Sequence, residues 1–287
     1  MKDAIRSAQD FLLRTQLSEG GWGYTNDATQ AYPEPSCYSL LALKDTSFSS
    51  AKTLSWLSSL VHADGKLFLP GDNLPNWGTS LLLMTLTRLN ELPVVRQSSI
   101  DWLVEWKSKT GDASAVVLLN GNLVGWSWIS DTFSWVQPTS YAVLALKLAG
   151  LKTHQRVKEA EELLFDRMCL QGGWNFGNPV VLGQPIDPSA METAFALFAL
   201  QDIQDTLGRV EKGLDILEQT TNQSPTTMAL ALCILCLDIF KRPVDRYIDL
   251  LIAKRKEDGS WDQKTWWTAI STLALQAADG GENVFKL

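Results

Sequence analysis

The segments PTSYAVLAL (residues 138–146) and ETAFALFAL (residues 192–200) are two copies of a sequence that recurs six times along the chain. The other four copies begin at residues 35, 78, 225 and 267. Nearly every later position of each copy is apolar, which predicts a helix that is buried on most sides. The second position always carries a hydroxyl group: Ser36, Thr79, Thr139, Thr193, Thr226 and Thr268. We predict that these hydroxyls cap the helix N-termini.

A more amphipathic segment precedes each buried helix and carries charges on one face, as residues 154–169 illustrate. Such segments suit an outer layer. In five of the six units a turn that combines glycine with an aromatic residue lies between the two, as in GGWGY (residues 20–24) and GGWNF (residues 172–176). Glycine permits a left-handed end to the outer helix, and the tryptophan is predicted to plug the gap between successive helix pairs.

The two terminal units indicate that the array closes on itself. An open helical solenoid needs polar outer faces on its end repeats, but the first and last buried segments are as apolar as the others. We therefore predict an all-α fold, an α/α toroid (barrel) of six inner and six outer helices. No Gly/Ser-rich or Pro-rich linker divides the units, so residues 1–287 are predicted to form a single domain. Two long loops, residues 109–137 and 175–190, are candidates for function.

The composition excludes several classes of function. Of 287 residues, 45% are hydrophobic and 20% are charged, which indicates a soluble globular protein. The net charge of −7 argues against binding to nucleic acid. No apolar run reaches the roughly 18 residues that a membrane span needs. Four cysteines within apolar helical segments favour a reduced, cytoplasmic setting.

The glycine–tryptophan turns carry a resemblance to a known family. Gln16, Gly20 and Trp22 fit the Q-x3-G-x-W repeat of squalene–hopene and related terpene cyclases, and weaker copies end at Trp174 and Trp261. With its recurrent inner helices, essentially the whole chain resembles the terpenoid cyclase/protein prenyltransferase repeat superfamily, as a squalene–hopene cyclase-like single α/α-toroid domain. The resemblance implies a barrel whose inner-helix N-termini open onto a central, largely apolar cavity for an isoprenoid chain.

The two main chemistries of that superfamily can each be compared with this sequence. Cyclases that start by protonation resemble D-x-D-D followed by Thr-Ala, and in the matching stretch here, residues 189–194, Met191 stands where the protonating aspartate would be. Prenyltransferase β subunits resemble D-x-C-Y with a histidine at another helix start, but Pro35 replaces the aspartate before Cys37 and Tyr38. Neither histidine of the chain falls at an inner-helix start, and a catalytic zinc site needs three protein ligands. We therefore predict no metal and no cofactor.

Acidic residues near the starts of the inner helices supply the candidate chemistry. Glu192 is the preferred proton donor because its neighbours are apolar, and Asp187 is the alternative. Burial would raise the pKa of such a carboxyl group, so that it could protonate an alkene or an epoxide. Asp131, among the catalytic candidates, and Glu34, among the substrate-binding ones, are expected to hydrogen-bond this acid or to stabilise charge. The plainer interpretation is that these acids complement the helix dipole.

Aromatic residues also gather at the inner-helix starts. Electron-rich rings suit the stabilisation of a carbocation and can shape an apolar pocket, and ordinary core packing is the alternative. The residues predicted to bind substrate are, besides Glu34, Tyr38, Trp77, Trp128, Trp135, Tyr141, Phe195, Trp266 and Trp267. Trp126 is expected to flank the opening together with Trp128. Trp22, Trp174 and Trp261 are interpreted as structural plugs.

These observations predict an isoprenoid (terpene) cyclase-like enzyme, of isomerase or lyase type, that folds a linear polyene in an aromatic-lined cavity and starts by protonation from a non-standard acid. Alternatives are a non-catalytic or partner-dependent binder of a prenyl or other hydrophobic ligand, an α/α-barrel carbohydrate-active enzyme, and a scaffold whose cavity is filled by its own side chains. The expected partner is a small, hydrophobic, isoprenoid-like ligand. The sequence leaves open the oligomeric state and a peripheral contact between the face of Phe11 and Leu12 and a membrane.

Overall fold

The recurring segments form helices that stand side by side in a closed ring. A computed structural model describes residues 1–111 and 119–287. In chain order, the helices of these ranges are α1 (Lys2–Arg14), α2 (Pro33–Leu43), α3 (Ala51–Ser59), α4 (Gly78–Leu89), α5 (Pro93–Glu105), α6 (Val136–Leu148), α7 (Gln155–Asp166), α8 (Ala190–Leu200), α9 (Arg209–Gln223), α10 (Thr227–Ile239), α11 (Asp245–Ala253) and α12 (Thr265–Ala278). A short antiparallel hairpin, β1 (Val180–Val181) and β2 (Gln184–Pro185), lies in the loop before α8.

The even-numbered helices are the inner ones and the odd-numbered helices are the outer ones. Each inner helix packs on the next, and α12 packs on α2. Every residue of α2 is buried because neighbouring inner helices cover its sides, whereas the outer helix α7 buries one face, with Val157, Ala160 and Leu164. The predicted α/α toroid of six inner and six outer helices is thereby confirmed for the described residues. Residues 112–118 of the predicted functional loop 109–137 lie outside them.

Contacts between the first and the last units complete the ring. The backbone N–H of Thr265, at the start of α12, donates to the carbonyl oxygen of Tyr24 at 3.0 Å. Arg14, at the end of α1, donates to the carbonyl oxygen of Asp258 at 3.0 Å. These bonds join residues that are more than 240 positions apart, so closure does not rest on apolar packing alone. We call the enclosed space the lumen, the end at which the inner helices begin the mouth, and the opposite end the far end.

The glycine–tryptophan turns are held by two repeated hydrogen bonds. The indole N–H of the turn tryptophan donates to a carbonyl near the end of the preceding outer helix: Trp22 to Leu12, Trp126 to Leu103, Trp174 to Leu164 and Trp261 to Leu251. All four indoles are fully buried. The turn that leads into each is sharp, and Gly20 and Gly172 have φ angles of 107° and 102°. Trp126 is therefore a structural plug like the other three, and the expectation that it flanks the opening is wrong.

The second repeated bond corrects the role predicted for the hydroxyl column. Only Thr226 is an N-cap, with its hydroxyl accepting from the amide of Ala229 at 3.2 Å. The N-cap prediction is wrong for the other five, which lie inside the first turns of their helices because those helices begin earlier than expected. Their hydroxyls instead accept a backbone N–H of the preceding turn: Ser36 from Trp22, Thr79 from Leu67, Thr139 from Trp126, Thr193 from Trp174 and Thr268 from Trp261.

The chain after α12 crosses the far end of the lumen and closes it. The side chain of Asn283 donates to the carbonyl oxygen of Leu235 at 2.8 Å, and Gln201 donates to the carbonyl oxygen of Phe285 at 2.8 Å. The ring of Phe285 is fully buried and stacks on Phe198 with ring centres 4.4 Å apart. These contacts hold the C-terminal segment against the ends of α8 and α10. A ligand would therefore have to enter the lumen at the mouth.

Candidate active site at the mouth of the ring

Three of the predicted substrate-binding aromatics meet in the middle of the lumen. The hydroxyls of Tyr38 and Tyr141 lie 2.5 Å apart, and the ring of Phe195 lies 4.6 Å from that of Tyr141. Their helices α2 and α6 are separated in the ring by α4, so the tyrosine pair spans the lumen. We call Tyr38, Tyr141 and Phe195 the aromatic layer. All three side chains are fully buried, and Phe285 lies beneath them, 6.2 Å from Tyr38.

The rings of the aromatic layer pack closely against one another, and its two tyrosines share a hydrogen bond. Gln137 lies one turn before Tyr141 on α6, and its side chain acts to lower the pKa of that phenol. Burial is the larger influence and raises the pKa of both tyrosines well above the ordinary value. Both phenols are therefore neutral near pH 7. Gln137 had no place among the predicted residues, although its position four residues before a lumen-facing tyrosine is a usable signal.

The predicted tryptophans lie nearer the mouth and only partly together. Trp77 packs 5.2 Å from Tyr141 and 5.4 Å from Trp128, with the two indoles nearly perpendicular. Trp135 precedes α6 and is half-buried, and its amide donates to the carbonyl of Trp126 at 3.1 Å. Trp77 therefore links Trp128 to the aromatic layer.

On α12, Trp266 and Trp267 have different surroundings. The ammonium group of Lys264 lies 3.6 Å from the centre of the Trp267 ring, a cation–π contact. Trp266 meets Tyr24 of the first turn at 83°, with ring centres 6.2 Å apart. Its indole N–H is buried and has no hydrogen-bond partner within the described residues.

Glu192 lies in the first turn of α8 and is only 2% exposed. Its amide donates to the hydroxyl of Ser189 at 3.3 Å, and that hydroxyl contacts the Glu192 carboxylate in return. Ser189 is therefore the N-cap of α8, and its hydroxyl contacts both the amide and the carboxylate of Glu192. Burial raises the pKa of the Glu192 carboxyl above its ordinary value, and the hydrogen bond from its own backbone opposes the shift. The residue therefore combines a structural role with the environment of a protonated acid.

A cleft of about 560 Å³ opens beside Glu192 at the mouth. The starts of three inner helices (α6, α8 and α10), the end of the outer helix α9 and the loop before α8 form its walls. The described lining consists of Gln137, Phe176, Pro188, Ser189, Ala190, Met191, Glu192, Thr220, Gln223, Ser224, Thr226, Met228 and Ala229. Glu192 is the one carboxylate in this lining, and the apolar side chains come mainly from α8 and α10. A volume of this size is typical of small-molecule sites.

Glu34 is a second buried acid at the mouth. It lies in the first turn of α2 and is 8% exposed, and its Oε2 accepts a hydrogen bond from the Tyr24 hydroxyl at 2.9 Å. Burial raises the pKa of Glu34 to about 7, and the hydrogen bond from Tyr24 only partly offsets this. Its position between Pro33 and Pro35, four residues before Tyr38, is the sequence signal for a carboxyl group on the lumen face of a buried helix start.

The other two predicted acids are exposed, and for Asp187 this is contrary to the expectation of a desolvated proton donor. Asp187 accepts a hydrogen bond from Gln171 at 2.8 Å on the surface. Asp131 lies in a loop with a φ of 64° and is also exposed. Both side chains are in solvent because their loops run over the outside of the ring.

Two further observations concern metals and membranes. Within residues 1–111 and 119–287, no three His, Cys, Asp or Glu side chains come together in the way a metal site requires. None of the described helices has the length and apolar character needed to cross a membrane.

Comparisons with known proteins identify the fold. No protein-family model and no curated protein matches the sequence, but solved structures do. The type II terpene cyclase MstE from Scytonema is 14% identical, with 91% of this chain and 80% of that chain covered and a TM-score of 0.63. Candida albicans protein geranylgeranyltransferase-I complexed with GGPP is 11% identical, with 99% and 95% covered and a TM-score of 0.63.

A family 76 glycoside hydrolase from a bovine Bacteroides thetaiotaomicron strain has the same fold. It is 10% identical to this chain, covers 97% of this chain and 78% of its own length, and has a TM-score of 0.65. At these identities the similarity shows the α/α toroid alone. Since three different activities occur on that toroid, the activity of this chain has to be argued from its site.

Proposed function

We propose that this protein is an isoprenoid cyclase-like enzyme that binds a linear polyene in the cleft at the mouth and starts the reaction by protonation from Glu192. The observation that carries the proposal is a buried carboxyl group with a raised pKa in the wall of a largely apolar cleft. Such a group stays protonated closer to neutral pH than an exposed glutamate, and a protonated acid is what this initiation requires. The proposal includes membership of the terpenoid cyclase/prenyltransferase superfamily and one toroid domain over residues 1–287.

The chemistry balances without a co-reactant. The Glu192 proton moves to one carbon of a terminal alkene, or to the oxygen of an epoxide, and leaves a positive charge on the more substituted carbon. The next double bond attacks that carbon and forms the ring bond. Loss of a proton from the final cation then gives a cyclic product, and Glu192 regains a proton from solvent. For the alkene the product is an isomer of the substrate, so a mass spectrum separates it from a hydrolysis product.

The mouth aromatics suit the charged intermediate of such a reaction. None of the predicted substrate-binding aromatics is in the described lining of the Glu192 cleft, so the proposal requires the bound chain to extend from the cleft to Trp77 and Trp128. These two nearly perpendicular indoles pack beside Tyr141, and an indole face attracts a cation by about 0.5–2 kcal/mol. Two structural neighbours have bound ligands, geranylgeranyl dihydroxybenzoate in MstE and GGPP in the geranylgeranyltransferase, and these support an isoprenoid-like ligand for this toroid.

The decisive experiment incubates the wild type with a panel of linear isoprenoids and measures products and retained ligand by gas chromatography with mass spectrometry, because a cyclic isomer has the same mass as its linear substrate. We expect a cyclic isomer from the wild type and a rate at least about 100-fold lower from Glu192→Gln. The side-chain amide oxygen of the glutamine can still accept the Ser189 hydrogen bond, so the N-cap of α8 is kept. Glu162→Gln, an exposed change on α7, serves as the matched control with an unchanged rate.

Three outcomes assign the function differently. Full activity in Glu192→Gln removes this residue as the proton donor, and loss of activity in Asp187→Asn instead would move that role to Asp187. Retention of an isoprenoid without turnover would identify a binding protein. One observation favours a binding protein. The Glu192 carboxylate already contacts Ser189, the N-cap of α8, so its burial has a structural explanation. A sugar substrate is less favoured, since glycosidases use two carboxylates and the described cleft lining has one.

A further inference from the structure

Glu34 is a buried carboxyl group without a cationic partner. Its Oε2 is held by the neutral hydroxyl of Tyr24 at 2.9 Å, and no Lys, Arg or His of the described residues contributes to its electrostatic environment. Buried acids are normally paired with a cation or neutralised, because removing an unpaired charge from water is costly. Glu34 is also not needed for the helix cap, since no side-chain cap bond is present at the start of α2. Its burial therefore calls for another explanation.

Tyr24, which donates to this acid, packs against two further aromatic rings. Tyr24 and Trp266 meet at 83° with ring centres 6.2 Å apart, and Tyr32 packs 5.3 Å from Tyr24 on its other side. Tyr24 is 39% exposed, and Tyr32 and Trp266 are half-buried, so the rings of this corner reach the surface of the protein.

We propose that the corner formed by Glu34, Tyr24 and Trp266 is a binding site for an organic cation, specifically an ammonium group that carries apolar substituents. A carboxylate supplies the countercharge and the ring faces supply cation–π attraction, which is the combination that recognises quaternary ammonium ligands. A hydrated metal ion is not served by this arrangement, because one carboxylate and two rings do not replace its oxygen ligands. The proposal does not depend on the cyclase function and concerns a different acid from Glu192.

The charge state of the corner depends on Glu34 alone within the accessible pH range. The titratable groups that face it are Tyr24 from the first turn, Tyr141 from α6, and Cys37 and Tyr38 from its own helix. Burial raises the pKa of each of these groups, so all four stay neutral when Glu34 ionises. The nearby Lys264 is engaged with the ring of Trp267. A cation should consequently bind better as the pH rises through neutrality.

The test compares choline with 3,3-dimethylbutanol, which has the same shape but no charge. Binding to the wild-type protein is measured by titration calorimetry or ligand-observed NMR at about pH 8.5 and about pH 5.5, chosen to ionise and to neutralise Glu34. We expect choline to bind at least about tenfold more tightly than the alcohol at the higher pH, and this preference to disappear at the lower one. Choline keeps its charge at both values, so the change reports on the protein.

Variants identify the residues responsible. Glu34→Gln should abolish the preference, and Trp266→Leu should reduce it severalfold because one ring face is lost. Asp27→Asn removes a negative charge from an exposed position nearby and should leave the preference unchanged. Equal binding of the two ligands by the wild type overturns the proposal, as does a preference that survives Glu34→Gln. Should Glu34→Gln fail to unfold cooperatively, the pH comparison on the wild type decides alone. Neither result bears on whether isoprenoids enter the Glu192 cleft.

Discussion

Tyr38 and Tyr141 form a 2.5 Å hydrogen bond across the lumen, between two inner helices that are not neighbours in the ring. This bond divides the lumen into a packed lower half, which contains Phe198 and Phe285, and a mouth half that contains the candidate site. The division has a functional meaning. A ligand that enters at the mouth meets a hydrogen-bonded floor about halfway down, so the barrel of this chain is not a through-going channel.

The tyrosine pair should contribute measurably to stability. Tyr141→Phe leaves the Tyr38 hydroxyl buried without its partner, and we expect a loss of about 1–3 kcal/mol in the free energy of unfolding, measured with urea. The double variant Tyr38→Phe/Tyr141→Phe removes both hydroxyls and should cost less than the sum of the two single changes. Strict additivity would contradict a direct bond between the two groups.

The hydroxyl column can be tested at Thr193, which accepts the amide of Trp174 at 3.0 Å. Thr193→Val keeps the shape of the side chain but removes the acceptor, so the buried amide loses its partner. We expect the free energy of unfolding to fall by about 1–3 kcal/mol, whereas Thr193→Ser, which keeps the oxygen, should recover most of it. If Thr193→Val is as stable as Thr193→Ser, the hydrogen bond from the Trp174 amide does not contribute to the free energy of unfolding.

The closure of the far end depends on Phe285. Phe285→Ala removes a fully buried ring that stacks on Phe198, and the resulting cavity should lower the free energy of unfolding by about 3–5 kcal/mol. Lys286→Ala changes the adjacent, exposed side chain and should alter stability by less than about 0.5 kcal/mol. Both are measured by chemical denaturation. A loss below about 1 kcal/mol for Phe285→Ala would mean that the tail is not part of the core.

Stability should also depend on pH through Glu34. Its pKa in the folded protein, about 7, lies above the ordinary value of 4.5, so folding disfavours the ionised form. The stability that the protonated form provides is complete below about pH 4.5 and is lost as the pH rises to about 7, by about 3 kcal/mol in total. Glu34→Gln removes this dependence. In urea unfolding, the variant should therefore gain stability over the wild type between pH 5 and 8.

The quantity to compare is the difference in free energy of unfolding between the wild type and Glu34→Gln, followed as the pH changes. Other ionisable groups change the stability of both proteins in the same way, so only the gap between wild type and Glu34→Gln is diagnostic. A gap that stays constant across the pH range would show that Glu34 ionises as it does in the unfolded chain. Asp27→Asn provides the comparison for loss of one exposed negative charge.

Much of the fold could be predicted because its signals are local and repeated. A buried-helix pattern that occurs six times, with a glycine–tryptophan turn before most copies, requires the same packing of each unit on the next. The closure of the ring also followed from sequence, since apolar end units have to be covered. The wrong N-cap prediction for Thr193 and its equivalents also has a local cause. A hydroxyl near a helix start can cap that helix or accept a backbone N–H of the preceding turn, and the sequence does not show at which residue the helix begins.

The candidate site was only partly predictable. The sequence by itself identified four acids and a set of aromatic residues near the mouth, but it ranked Asp187 above Glu34. Only the tertiary structure decided that Asp187 lies in solvent while Glu34 is enclosed beside Tyr24. The reason is physical: the desolvation that raises the pKa of a carboxyl group comes from side chains on other helices and turns, and their approach is set by the closure of the ring and not by the residues next to that acid in the chain.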